Sequence, residues 1–306
     1  RERLQEFVNK NSQHELVGLA QLQLGNVMVE EAQVYFEKSK SPGPGEKKDD
    51  LLKKSRDLFA EAIKTLDNAA NEFQAKWKAF PNFIDPKETA QIQARLQAQA
   101  NYIQALLYAG VAVQTSAKTW PKNSKEYKNT LNQAVQRFQK VVADFRMQYA
   151  GRYAMMLEGS CHQDLGDVKR ALGLYREVLD APGDSPLFQV LKARTLKLAL
   201  EAYMDPSQKM YEEVVRRGEE WLRSARPDLE RSPEGLAIRY FTARAYHEMK
   251  LRDEKSNEAA SRNEVARYPS QIVKHAKEVA TIYNEYQQQA KELLATYRDL
   301  DANAMP

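Results

Sequence analysis

Residues 153–182 read YAMMLEGSCHQDLGDVKRALGLYREVLDAP, and this stretch decides the fold. Gly159, His162, Leu165, Gly166, Asp167, Ala171, Tyr175 and Val178 fall at the intervals of a helix–turn–helix unit. Small Gly159 and Ala171 sit where two helix backbones must come close, and Leu165-Gly166-Asp167 is a tight reversal between them. Tyr175 and Val178 follow Ala171 at i+4 and i+7, which keeps all three on one helical face. Such a hairpin cannot bury its apolar face alone, so it predicts stacking on neighbours of the same kind.

The neighbours are present. Ala134, Phe138 and Val141 repeat the small–aromatic–apolar spacing 37 residues before Ala171, Tyr175 and Val178. Ser55, Phe59 and Ala62 repeat it again with Ser for Ala. Ala243 and Tyr246 have the look of another first helix. The Leu187–Trp221 stretch fits poorly, because Gly218 stands where an aromatic is expected.

Outward from this stretch, apolar periodicity predicts about eleven helices. The first covers 12–38, with Ser12 at its N-cap and a stripe through Leu16, Leu19, Ala20, Val27, Val34 and Tyr35. Two Pro and two Gly at 42–45 end it. Helices follow over 48–79, over 87–118 with a face of Leu96, Ala100, Ile103, Leu107 and Val111, and over 125–146 with Ser124 as cap. After 153–182 come 187–204, 208–224, 234–250, 254–267 and a long last helix over 270–299. The early helices are long for a repeat. This divides the chain into a long-helix module over 1–120 and a repeat array over 121–306.

These spacings resemble the tetratricopeptide repeat (TPR) family. The resemblance implies an all-α, right-handed α-solenoid of antiparallel helix pairs, with a concave groove that takes a peptide, helix or protein subunit. Residues 125–182 match well, 234–270 in part and 12–80 weakly. Arg267-Tyr268-Pro269-Ser270, leading to Ala276, is similar to the joint of bacterial cell-envelope TPR scaffold proteins. Phe145-Arg146-Met147-Gln148-Tyr149-Ala150 is a looser version. The joint implies a periplasmic or cell-envelope setting, with the cytoplasm as the alternative.

Carried over position by position, the groove candidates are Tyr153, Met156, Ser160 and Gln163 in the best repeat. Tyr240, Arg244 and His247 hold those places in the later one. Arg194 and Lys197 offer a polar face between them, and Arg239 with Arg244 suits a carboxylate. The alternative is a self-assembling structural subunit of a larger envelope complex, joined through an apolar stripe of Tyr283, Tyr286, Leu293, Leu294 and Tyr297.

Bulk properties agree with a non-catalytic scaffold. The 306 residues are 42% apolar with a net charge of +4 and both signs interspersed, too mild to argue for nucleic acid. No run is long and apolar enough for a transmembrane helix. The four histidines, His14, His162, His247 and His275, lie on separate helices, so neither a metal nor another cofactor is expected. Cys161 is the single cysteine. It points about 100° away from neighbouring His162 on a helix, so the two form no nucleophile–base pair. There is no phosphate-binding glycine loop. The ends, Arg1 and Pro306, read as those of a piece of a longer protein.

Overall fold

The structure is a computed structural model that describes residues 1–255 and 265–297. Among them are thirteen α-helices and no strand, and the helices pack in adjacent pairs. The chain forms two compact units, Arg1–Gly166 and Asp167 onward, and the boundary along the chain falls in the Leu165-Gly166-Asp167 reversal. Gly166 has φ +85°, the left-handed conformation that a glycine adopts without steric cost.

The first unit holds α1 (Glu2–Lys10), α2 (Val17–Lys40), α3 (Lys48–Lys78), α4 (Thr89–Ala117), α5 (Lys125–Phe145) and α6 (Tyr149–Asp164). Each packs on its chain neighbours, and α2 also touches α4 and α4 touches α6. The predicted Ser124 cap is present: its hydroxyl accepts from Tyr127 N at 3.1 Å. Ala134, Phe138 and Val141 are buried on α5, as are Ser55, Phe59 and Ala62 on α3. The Ser55 hydroxyl donates to the Ala32 carbonyl at 2.8 Å, which explains how a serine serves at a small, buried position.

Two stripes differ from expectation. The helix expected over 12–38 begins instead at Val17, after a turn that follows α1, so Leu16 and not Ser12 stands at its N-cap. Leu16, Leu19 and Val34 are exposed, while Val17, Gly18, Leu22, Gly25, Met28 and Ala32 face inward. Glycine carries part of that contact. A Cβ on Gly25 would stand 2.6 Å from Leu66 Cγ, so the α2 backbone lies against α3. On α4, Leu96 and Ala100 are exposed and only Ile103 of the expected face is buried. That helix packs against both α3 and α5, and it buries small residues toward them: Ala98, Ala105, Ala109, Gly110 and Ala112. A Cβ on Gly110 would stand 2.6 Å from the Phe138 ring.

The second unit holds α7 (Val168–Leu179), α8 (Pro186–Tyr203), α9 (Tyr211–Ser224), the single turn α10 (Pro227–Glu230), α11 (Pro233–Asp253), α12 (Tyr268–Thr281) and α13 (Gln287–Ala295). Ala171, Tyr175 and Val178 are fully buried on α7, and the Asp167 carboxylate caps it by accepting from Arg170 N. Helix α11 packs on α8, α9 and α12. Gly218, the misfit in the repeat pattern, lets α9 approach α11: a Cβ there would meet the Thr242 hydroxyl.

The long helix expected over 270–299 is two helices. Ile282 is extended, and Asn284 takes over the local hydrogen bonding. Its Nδ2 donates to the carbonyls of Val279 and Ile282, and its Oδ1 accepts from Tyr286 N at 2.7 Å. Asparagine competes with the helix ladder in this way. The expected exposed stripe is correspondingly dissolved. Tyr283 is 94% exposed, but Tyr297 is buried with Met249, Tyr268 and Ile272. Most of the helix expected over 254–267 lies outside the described residues.

Candidate partner-binding face

Two Ser-Pro starts set the phase of the helices that carry the second-unit candidates. Ser185 accepts from Phe188 N at 3.3 Å and Ser232 from Gly235 N at 3.1 Å, with Pro186 and Pro233 in the first turns. From these starts α8 presents Arg194 and Lys197, and α11 presents Arg239, Tyr240, Arg244 and His247.

Lys197 and Tyr240 come together on a partner the sequence reading had placed elsewhere. The Tyr286 ring stacks on Tyr240 with centroids 4.7 Å apart and planes 17° apart, and meets Phe241 edge-on at 5.3 Å. The Lys197 ammonium lies 5.5 Å from the Tyr286 centroid and pairs with Glu285 at 3.2 Å. Burial works against the Lys197 charge, but Tyr286 and Glu285 outweigh it and raise its pKa above the usual lysine value. Burial likewise raises that of the Tyr286 phenol.

The remaining candidates are more dispersed. Arg194 Nε donates to Glu234 at 3.1 Å, joining α8 to α11. Arg239 is largely buried between Glu230 and Glu278, so it ties α10 and α12 to α11 rather than facing a guest. Tyr240 is also buried beneath Tyr286. His247 Nδ1 shares a 2.7 Å hydrogen bond with the Tyr297 hydroxyl, and burial lowers its pKa. Arg244 is exposed and makes no ion pair among the described residues.

The four first-unit candidates form a separate set on α6. Met156 is 2% exposed and belongs to the core, which corrects its assignment to an open groove. Tyr153 stacks parallel on Tyr149 at 6.2 Å, and Ser160 accepts from Gln114 Nε2 of α4 at 3.2 Å. Gln163 is half-buried one turn further on.

Sequence reasoning missed a buried polar cluster. His275 is fully buried, and its Nε2 donates to Glu219 at 2.8 Å. The Tyr246 hydroxyl donates to the same oxygen at 3.3 Å, and its ring stacks on the imidazole at 6.3 Å. Burial lowers the His275 pKa despite Glu219 beside it. Burial disfavours the Glu219 charge, yet the hydrogen bonds and neighbouring cations outweigh it and hold the carboxyl below its usual range. The Tyr246 phenol is pushed up to about 12, first by burial and then by Glu219. Each partner comes from a different helix, so no local spacing signals the cluster.

Among the described residues, neither this cluster nor the candidate face shows an assembled nucleophile and base. Cys161 is buried, and burial pushes its thiol up, away from the reactive thiolate. Among the described residues no group of three or more His, Cys, Asp or Glu is placed to hold a metal ion. No helix there is long and apolar enough to cross a membrane. No protein-family profile matches the chain, and no curated protein matches it either.

Proposed function

We propose that the chain is a non-catalytic helical scaffold that binds a peptide, helix or protein subunit on the α8–α11 face of its second unit. The observation that carries this reading is the meeting of Lys197 and Tyr240, on separate helices, at one aromatic and acidic contact. A few desolvated aromatic and cationic anchors dominate binding at surfaces of this kind. The contacts of α8 with α11, of α2 with α4 and of α4 with α6 support the stacking that a TPR-like solenoid requires within each unit. A cell-envelope setting rests on the resemblance of Arg267–Ser270 to the envelope joint; there Pro269 opens α12, and Tyr268 is buried and donates to Asp253 at 3.1 Å.

The test uses the full chain against an array of synthetic peptides, followed by Lys197→Glu with Arg244→Glu. Both side chains lie at the face and neither fills the core, so circular dichroism should be unchanged. Affinity for a selected peptide should fall about tenfold or more, equivalent to about 1.4 kcal/mol. Undiminished affinity in the folded double variant would remove the face from consideration. A mass that rises with concentration in light scattering would favour the self-assembling subunit instead.

A further inference from the structure

The contact at the α8–α11 face is made by the chain on itself. Glu285 and Tyr286 lie in the segment between α12 and α13, where the helix predicted from periodicity is interrupted. Glu285 is exposed, its side chain at 70%, so the core does not require its pairing with Lys197. Tyr286 inserts between Lys197 on one side and Tyr240 with Phe241 on the other. One lysine therefore serves two neighbouring side chains, one by charge and one through the ring face. Arg244 lies one turn beyond Tyr240 on α11 and is exposed, a second cation on the same side of that helix.

We infer that this face receives a peptide in which an acidic residue is followed by an aromatic one, and that Glu285–Tyr286 occupies the place of that motif. The inference rests on the proposed scaffold function and names the chemistry of its partner. The recognition is charge complementarity to Lys197 and Arg244 together with a ring stacked on Tyr240. The internal occupant is tethered, and a short tether gives an effective concentration on the order of millimolar. A free peptide of the same chemistry must compete with it. Displacement is a movement of the Glu285 and Tyr286 side chains alone, because the Tyr286 backbone is held: its N–H donates to Asn284 Oδ1 at 2.7 Å and its carbonyl accepts from Ala290 N at 2.9 Å where α13 begins.

The experiment measures fluorescence anisotropy of a labelled peptide spanning residues 283–287, which contains the Glu-Tyr pair, against the full chain. The double variant Glu285→Ala with Tyr286→Ala should bind it about tenfold tighter or more than the unaltered chain, the masking having been removed. Adding Lys197→Ala to that background should abolish the gain. Removing Tyr286 uncovers Tyr240 and can disturb packing, so Glu285→Lys is the second variant. It alters only an exposed side chain, repels Lys197 and should give a smaller gain in the same direction. No gain in either folded variant overturns the inference. So does equal binding of a peptide with the acid and ring replaced by Lys and Ala. That last result, if still sensitive to Lys197, leaves the scaffold reading standing, whereas binding of no peptide at the face removes both.

Discussion

The two units are held together by different chemistry. In the first, helices meet through shape: the α4 backbone at Gly110 lies against the Phe138 ring, and that of α2 at Gly25 against Leu66. Its ion pairs between elements include Arg137 with Asp67 at 2.7 Å and Arg1 with Glu31 and Glu61 at 3.0 Å. The second unit is crossed by charges, with Arg194 to Glu234, Arg239 to Glu230 and Glu278, Lys197 to Glu285 and His275 to Glu219. Packing responds little to pH and to charge screening, whereas paired charges respond to both. The contrast predicts a first unit that behaves as a rigid body and a second that registers its surroundings.

Phe138→Ala should have the largest effect, about 3–5 kcal/mol, since it removes a fully buried ring and leaves a cavity. Urea unfolding followed by hydrogen exchange should place the loss in α4 and α5. Equal loss of protection in α9 to α12 would break the distinction between the units. Gly110→Val comes next, at about 1–3 kcal/mol, because its side chain must displace the same ring.

Acidification should act on the second unit. The lowered pKa of His275 means the folded state keeps it neutral. Below about pH 6.5 the unfolded chain takes up a proton that the folded chain refuses, so stability present above that value declines as pH falls. Glu219 adds a loss of the same sign only below about pH 4.3, as pH drops toward its depressed folded value. Exchange protection of α9, α11 and α12 should therefore weaken between about pH 8 and about pH 5. His275→Asn should lessen that dependence, and His247, whose pKa burial also lowers, should supply what remains on α11. An identical pH response in α3 to α5 would contradict the assignment. The smallest effect should come from Arg194→Ala, about 1 kcal/mol or less and weaker in high salt, because the arginine end of that part-buried pair is exposed.

Legibility in the sequence followed how many neighbours each helix has and what its contact surface is made of. Helices α5 and α7 carry one apolar stripe each, and their buried residues coincide with the repeat positions. Helix α4 is covered on two sides, so no single stripe describes it, and its large Leu96 is outside while its alanines are inside. Helix α2 makes contact partly through Gly18 and Gly25, which register as no hydrophobic signal at all. The Asn284 break was hidden because Asn is ordinary on a helix surface, and its effect depends on which carbonyls it can reach. At the candidate face, the spacing proposed Lys197 and Tyr240, but their meeting with Glu285 and Tyr286 joins positions about ninety and forty-five residues apart. No periodicity encodes such a pairing.

The burial of Cys161 has a practical side. As the chain's sole sulfhydryl, shut within α6, it leaves the exterior silent toward maleimide reagents under native conditions. A cysteine introduced at Tyr283, which is 94% exposed, would be the one accessible handle on the folded protein. A dye attached there would sit three residues from Tyr286 and report departure of that ring from Tyr240 as a change in emission.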